Sequence, residues 1–165
     1  MTTAYAVVIP TIGRPALDRL LAALDAARGP RPAEVIVVDD RPAPEQPLAL
    51  PDTDLPIQVL RSGGRGPAAA RNVGWRSTAA DWICFLDDDV VPGPDWYAEL
   101  AGDLRDADFS VVGSQGTITV PAPGRFSTTN GLPNPCSSFW PSRRARMSVP
   151  PDGAKGTMKV TGRFG

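Results

Sequence analysis

The segment FLDDDVVP, residues 85–92, places three consecutive aspartates, Asp87, Asp88 and Asp89, directly after an apolar run. Adjacent carboxylates repel one another, so a triplet just beyond a buried strand needs a compensating partner. One candidate is a hard divalent cation, which binds carboxylate oxygens and completes its coordination with water and substrate phosphates. The other is a helix N-terminus, where aspartate stabilises unpaired N–H groups. The triplet alone leaves both alternatives open.

The composition limits the chemistry that the chain can perform. Its 165 residues suffice for one domain with a substantial core. It contains no histidine, which excludes a His general base, a His metal ligand and a Ser-His-Asp triad. Its two cysteines, Cys84 and Cys136, form neither a disulfide framework nor a metal-binding pattern. Acid–base work therefore falls to carboxylates.

The charge distribution and the apolar runs bear on partners and location. The net charge of -1 provides no general attraction for nucleic acid, so we expect no nucleic-acid partner. No apolar run approaches the roughly 20 residues that a transmembrane helix needs, and the N-terminus lacks the pattern of a signal peptide. We therefore expect a cytoplasmic protein without a transmembrane segment, for which association with a membrane surface stays open.

Strand and helix patterns alternate along the first 120 residues. Short β-branched runs predict strands at 5–10, 35–38, 57–60 and 82–86. Apolar residues at helical spacing predict helices that begin near Pro15 and Pro67, the first of them ending at Gly29-Pro30. The same pattern predicts a helix over 94–104, and alternation predicts strands at 109–113 and 117–120. Together they predict an α/β fold with a mainly parallel sheet and helices on both faces.

Polar residues follow the ends of the predicted strands, where parallel sheets bind ligands. Glycine N–H groups and arginines there suit phosphates, and a carboxylate at Asp40 can accept from a nucleobase N–H. Each feature also has a structural alternative, as a turn, a cap or a solvated side chain. Their convergence nevertheless predicts a site for a metal-bound nucleoside diphosphate. The residues concerned are Thr11, Asp39, Asp40, Gly63–Gly66, Arg65, Arg71 and Asp87–Asp89.

Four segments resemble the N-terminal, nucleotide-sugar-binding half of a family 2 glycosyltransferase with the GT-A fold. They are VVIPTIGRP (7–15), EVIVVDD (34–40), GPAAARNVG (66–74) and FLDDDVVPGPDW (85–96), and the resemblance covers about residues 5–115. It implies a Rossmann-like GT-A sheet, a nucleotide-diphosphate sugar as donor, inverting sugar transfer to an unknown acceptor, and Mn²⁺ or Mg²⁺ as cofactor.

The resemblance also implies roles for individual residues. The aspartate triplet corresponds to the family's DxD-type motif, with Asp89 and Asp87 as metal ligands and Asp87 near the ribose or sugar. Thr11 and Asp40 would hold the nucleoside, and Arg71 would lie towards the nucleotide. The complete set of implied donor-binding residues is Pro10, Thr11, Arg14, Asp40, Gly66, Arg71, Asp87 and Asp88.

The last 45 residues differ in kind from the first 120. Residues 121–165 hold seven Lys and Arg against one acid, Asp152, whereas residues 1–120 hold 10 Lys and Arg against 17 acids. Seven prolines and no clear periodicity predict an irregular, basic tail. The acceptor-side half of the family, with its catalytic Asp or Glu, is not recognisable there. We therefore expect an incomplete GT-A fold with no assigned general base.

Three origins of this tail stay open: a genuinely short protein, a truncation, or a coding disruption, of which the abrupt change near 121–133 favours the last two. Other functions also stay open. They are a nucleotide-sugar-binding module or degenerate copy without turnover, a nucleotidyltransferase, and a protein-interaction fragment. A nucleotidyltransferase usually has a glycine-rich, basic loop after its first strand, of which TIGRP (11–15) is a weak version. An interaction fragment leaves the converging acids unexplained.

Overall fold

Four strands form the centre of the computed structural model, which describes residues 4–107, 113–114, 116–119, 146–148 and 159–161. The strands are β1 (Tyr5–Thr11), β2 (Glu34–Asp39), β3 (Ile57–Arg61) and β4 (Trp82–Phe85). The helices are α1 (Ala16–Ala26), α2 (Pro67–Arg76) and α3 (Trp96–Asp106). The predicted α/β fold is thus confirmed, with each of the four predicted central strands and three predicted helices present.

The central strands lie in the order β3-β2-β1-β4, and every pair among them is parallel. From β1 the chain moves outward through β2 to β3, and then returns to the other side of β1 for β4. The strand order therefore reverses between β1 and β4. In open parallel sheets the crevice beyond the carboxyl ends at such a reversal is where ligands bind.

The two faces of the sheet are covered by different helices. Alternate strand residues such as Val7 and Val37 pack against α1 and α3, whereas Val8 and Val38 pack against α2. Strands buried on both faces explain the continuous apolar runs in the sequence. The largest fully buried side chains include Trp96 and Tyr97 of α3 and the four leucines of α1, Leu17, Leu20, Leu21 and Leu24.

Two helix boundaries differ from the prediction. Helix α1 ends at Ala26, three residues before Gly29, because Ala27 already adopts an extended conformation. Helix α3 begins at Trp96 rather than at Pro94, because the first hydrogen bond of α-helical spacing there runs from the Glu99 N–H to the Asp95 carbonyl. Neither difference in helix boundary involves a residue of the aspartate triplet.

Among the described residues there are five further strands, all of them short. They are β5 (Val91–Pro92), β6 (Gly113–Ser114), β7 (Thr117–Thr119), β8 (Arg146–Ser148) and β9 (Lys159–Thr161). β9 pairs antiparallel with β4 and with β6, and β8 pairs with β5 and β7. β8 and β9 fall within the segment for which the sequence predicts irregular structure; three residues are too few to produce a readable periodicity. The predicted strand at 109–113 lies outside the described residues except for Gly113.

In the part of the chain that the structure describes, no helix is both long and apolar enough to span a bilayer.

Candidate functional site

A cleft of about 240 Å³ lies at the carboxyl ends of β1 and β4, where the strand order reverses. It contains the whole aspartate triplet and residues from the loops that follow β1 and β2 and from α2. Of the donor-binding and metal-binding residues that the family resemblance implies, only Gly66 is not part of its wall. The wall is formed by Pro10, Thr11, Ile12, Arg14, Asp40, Pro67, Arg71, Asp87, Asp88 and Asp89.

Asp88 ties the triplet to the end of β1. The Thr11 hydroxyl donates a hydrogen bond of 2.7 Å to Asp88 Oδ2 and accepts one of 3.0 Å from the Gly13 N–H. Thr11 and Asp88 are both buried. Because the bond joins residues 77 positions apart, it fixes the loop after β1 against the loop after β4. These two predicted donor-binding residues are therefore bonded to each other at the base of the cleft.

Asp87 is paired with an arginine from another element. Arg71, in the second turn of α2, donates from Nη2 to Asp87 Oδ1 across the cleft. Both side chains remain partly exposed. The pair holds the Arg71 guanidinium at the wall of the cleft and satisfies part of the charge of the triplet. An orientation of Arg71 towards the nucleotide stays a prediction.

Asp89 is the aspartate of the triplet with an unsatisfied oxygen. Its Oδ1 is buried and has no hydrogen-bond partner among the residues that the structure describes. Arg14 Nη1 lies 3.6 Å from Asp89 Oδ2 and 3.8 Å from Asp88 Oδ1. Burial raises the pKa of Asp89, and the charges of Asp88 and Asp87 raise it further, whereas Arg14 acts in the opposite direction. A cation would relieve both the unsatisfied oxygen and the repulsion.

A divalent metal in this cleft would need carboxylate oxygens as ligands. Within the described ranges no group of three or more His, Cys, Asp or Glu side chains is arranged as a metal site. Mg²⁺ and Mn²⁺ sites for phosphate ligands commonly need only one or two protein carboxylates, with water and phosphate completing the shell. The buried free oxygen of Asp89 fits that requirement, and Asp87 could join only by sharing its carboxylate with Arg71.

Asp40 occupies a position that the sequence only partly anticipates. Its Oδ1 accepts hydrogen bonds from the Ser62 hydroxyl at 2.6 Å and from the Arg65 N–H at 3.0 Å. Its Oδ2 accepts one from the Gly66 N–H at 2.8 Å. The carboxylate therefore organises the glycine-rich turn and the start of α2, which is the capping alternative. It also lines the cleft, so a contact with a nucleobase stays a prediction.

The glycine-rich turn has a conformation that requires glycine. Gly63, Gly64 and Gly66 all have positive φ angles, and a Cβ on Gly64 would lie 2.9 Å from Pro42 Cβ. Because the Gly66 N–H is bound to Asp40, it already has a partner within the protein. The Arg65 side chain is also hydrogen-bonded within the protein, since its Nε donates to the Ser62 carbonyl at 2.8 Å. Arg65 is not part of the cleft wall.

Asp39 lies beneath this edge and serves the fold. Its carboxylate is 1% exposed and accepts from Arg41 Nε at 2.8 Å and from Arg41 Nη2 at 2.7 Å. The hydrogen bonds from the Arg41 side chain lower the pKa of Asp39 despite its burial. Of the two adjacent aspartates at the end of β2, only Asp40 reaches the cleft.

Two residues of the cleft wall were not singled out in the sequence. Ile12 is 52% exposed, which is unusual for a large apolar side chain, and Pro67 is the first residue of α2. The available signal was their position, since each directly follows a predicted donor-binding residue, Thr11 or Gly66. An exposed apolar side chain beside charged groups can contact a flat, apolar face of a ligand.

Comparison with known proteins identifies relatives of this arrangement. The family model described as "Glycosyl transferase family 2" matches residues 6–148, which extends past residue 115 into the basic tail. A "Pre-mycofactocin glycosyltransferase" of Mycobacterium tuberculosis is 38% identical over 109 residues, 64% of this chain and 22% of that protein. A "Hyaluronan synthase" of Pasteurella multocida is 34% identical over 118 residues, 68% of this chain and 12% of that protein. The chain thus spans less than a quarter of the length of either relative.

Solved structures show the same fold. A fragment (1–349) of S. aureus TarS in complex with UDP superposes with a TM-score of 0.52 at 20% identity, over 79% of this chain and 38% of that one. The same fragment in complex with UDP-GlcNAc gives 0.51 at 21% identity, over 79% and 37%. With four sequence segments in register, a parallel GT-A-like sheet and a family match over most of its length, the chain belongs to glycosyl transferase family 2.

Proposed function

We propose that the cleft binds a nucleotide-diphosphate sugar together with Mn²⁺ or Mg²⁺, as the donor site of an inverting glycosyltransferase. The observation that carries this proposal is the meeting of three aspartates and two arginines at the reversal of strand order. There a buried oxygen of Asp89 has no hydrogen-bond partner among the described residues, and Arg14 and Arg71 provide guanidinium groups. A metal-bound diphosphate is a ligand whose charges match both sets.

The parts of the ligand can be assigned by chemistry. Guanidinium groups pair with phosphate oxygens in a bidentate manner, so Arg14 and Arg71 are expected at the diphosphate. Asp89, with Asp87 as a second ligand, would hold the metal. Ile12 would lie against the face of the nucleobase, with Asp40 near the base edge. When bound, the cation would offset the charge that develops on the departing diphosphate.

The sugar class follows from the relatives only as a proposal. TarS, which shares the fold, has been crystallised with UDP and with UDP-GlcNAc. That supports a nucleoside diphosphate with an attached sugar as the ligand class and makes UDP-GlcNAc a suitable first probe. The base, the sugar and the acceptor of this chain are left to experiment.

Inverting transfer also needs a carboxylate that deprotonates the acceptor hydroxyl. The four described acids of the cleft already serve other contacts: Asp87 and Asp88 are hydrogen-bonded to Arg71 and Thr11, and Asp89 is assigned to the metal. The fourth, Asp40, accepts hydrogen bonds from Ser62, Arg65 and Gly66. After residue 120 the sequence offers one acid, Asp152, and no histidine. We therefore propose, as a second candidate, that the 165-residue chain alone is a donor-binding module that transfers sugar poorly.

Calorimetric titration tests the proposed donor site. UDP-GlcNAc and other UDP-, GDP- and TDP-sugars would be added with and without Mn²⁺ to the wild type, to Asp89→Ala and to the control Asp81→Ala, whose side chain is exposed and outside the cleft. We expect metal-dependent binding that Asp89→Ala loses and Asp81→Ala retains. Absence of binding by every nucleotide sugar would overturn the proposal and return the triplet to a structural role.

The same samples separate binding from turnover. Release of UDP and of free or transferred sugar can be followed with a panel of acceptors. Binding without release supports the module alone, whereas robust transfer that Asp89→Ala abolishes shows a complete transferase and overturns the second candidate.

A further inference from the structure

Arg14 stands in an unusual relation to the triplet. Its side chain is 53% exposed, and its Nη1 lies between two carboxylates, 3.6 Å from Asp89 Oδ2 and 3.8 Å from Asp88 Oδ1. Both distances exceed the 2.7–3.2 Å of a hydrogen bond, so the guanidinium is attracted but not locked. Arg71, by contrast, is hydrogen-bonded to Asp87. Arg14 is therefore the more easily displaced of the two cations.

We propose that Arg14 is a built-in counter-cation, which stands in for the divalent metal beside Asp88 and Asp89 until the ligand binds. This inference rests on the proposed donor site. A metal at Asp89 and the guanidinium of Arg14 compete for the same carboxylate charge, so Arg14 opposes the binding of metal alone. It also offsets part of the repulsion within the ligand-free triplet.

The diphosphate changes the balance because it gives Arg14 a second anionic partner. Arg14 lines the same cleft, and an exposed arginine side chain has room to turn from the carboxylates to phosphate oxygens. The carboxylate of Asp89 would then bind the metal, and the guanidinium of Arg14 would bind the diphosphate. Each ligand thereby favours the binding of the other, and such coupling is reciprocal. Arg14 would thus suppress the loading of metal in the absence of the donor.

The test compares Arg14→Gln with Arg28→Gln, a matched control. Arg28 forms an exposed pair with Asp95, and neither residue belongs to the cleft, so the control removes the same charge elsewhere. Binding of Mn²⁺ alone would be followed by the loss of the electron paramagnetic resonance signal of the free ion, and then repeated with saturating UDP. UDP binding without metal would be measured by calorimetry.

We expect Arg14→Gln to bind Mn²⁺ alone on the order of fivefold more tightly than the wild type, within the range of exposed charge pairs. UDP should bind this variant more weakly, and the gain in Mn²⁺ affinity caused by UDP should shrink. Arg28→Gln should match the wild type in all three measurements.

The outcomes distinguish this inference from the proposed function. If the wild type binds Mn²⁺ with UDP and Asp89→Ala does not, the donor site stands. Equal or weaker Mn²⁺ affinity in Arg14→Gln would then overturn the role of Arg14 alone. If the wild type binds neither Mn²⁺ nor UDP, both proposals fall together.

Discussion

The carboxylate of Asp40 at the end of β2 accepts a hydrogen bond of 2.8 Å from the N–H of Gly66, the residue that precedes α2. The same carboxylate also holds the Arg65 N–H and the Ser62 hydroxyl. One buried side chain therefore fixes the start of α2 against the sheet. Since Arg71 lies on α2, Asp40 also sets where that guanidinium meets the cleft.

Asp40→Asn should destabilise the protein by about 2 kcal/mol, because its NH₂ group would replace one accepting oxygen and face either the Gly66 N–H or the Arg65 N–H. Urea unfolding followed by circular dichroism measures the change. Asp81→Asn, at an exposed position, should leave the midpoint unchanged. Equal stabilities of the two variants would show that Asp40 does not organise the turn and would leave a ligand contact as its main role.

A second prediction concerns the packing of α2 on the sheet. A Cβ on Gly74 would lie 2.3 Å from Val8 Cγ1, and Val8 is fully buried, so Gly74→Ala should cost about 2 kcal/mol. Gly102, also inside a helix, has open space around its Cβ position. Gly102→Ala should therefore stabilise the protein by about 0.5–1 kcal/mol. Thermal unfolding distinguishes the two, and opposite shifts are required; equal shifts would contradict the close approach of α2 to β1.

The central fold could be predicted from the sequence because its signals are local. The apolar runs of β1, β2 and β4 and the leucine spacing of α1 each report their own burial, and their order predicts the parallel sheet. The short strands β5, β8 and β9 could not be predicted in this way. Each has two or three residues and exists only through its pairing with a distant segment.

The site could be predicted as a set of positions but not as a set of contacts. Thr11, Asp40 and the triplet converge because parallel strands end at one edge. The hydrogen bond from Thr11 to Asp88 and those from the glycine-rich turn to Asp40 depend on loop conformations that no sequence pattern records. The place of Ile12 in the cleft could not be predicted for a similar reason. An apolar residue usually indicates burial, and the exposure of Ile12 is a property of the folded loop.

The lowered pKa of Asp39 predicts how the stability of the folded state depends on pH. Hydrogen bonds from the Arg41 side chain lower the pKa of Asp39 below its ordinary value of 3.8, so the charged carboxylate stabilises the folded state above about pH 4. That contribution is lost as the pH falls below 3.8 through the lowered pKa. Asp39→Asn weakens hydrogen bonds to a charged, partly exposed arginine, so it should cost about 2 kcal/mol at pH 7 and progressively less below pH 4.

Urea unfolding at several pH values checks this dependence. Asp95→Asn is the matched control, because Asp95 forms a similar two-bond pair with Arg28, with both side chains largely exposed, and should change stability little. A cost for Asp39→Asn that is the same at pH 3 and pH 7 would show that packing, rather than the ion pair, is lost.

The last prediction uses the two exposed large apolar side chains of the described residues, Ile12 at 52% and Val59 at 43% exposure. Only Ile12 lines the cleft. Ile12→Thr should weaken nucleotide-sugar binding about threefold to tenfold, since it removes apolar contact area, and leave stability within about 0.5 kcal/mol. Val59→Thr, which also introduces a hydroxyl at an exposed apolar position but on the edge strand β3, should alter neither quantity. Calorimetry of both variants with the same nucleotide sugar decides the matter: if they bind alike, the base does not lie against Ile12, and the apolar surface of the cleft has another use.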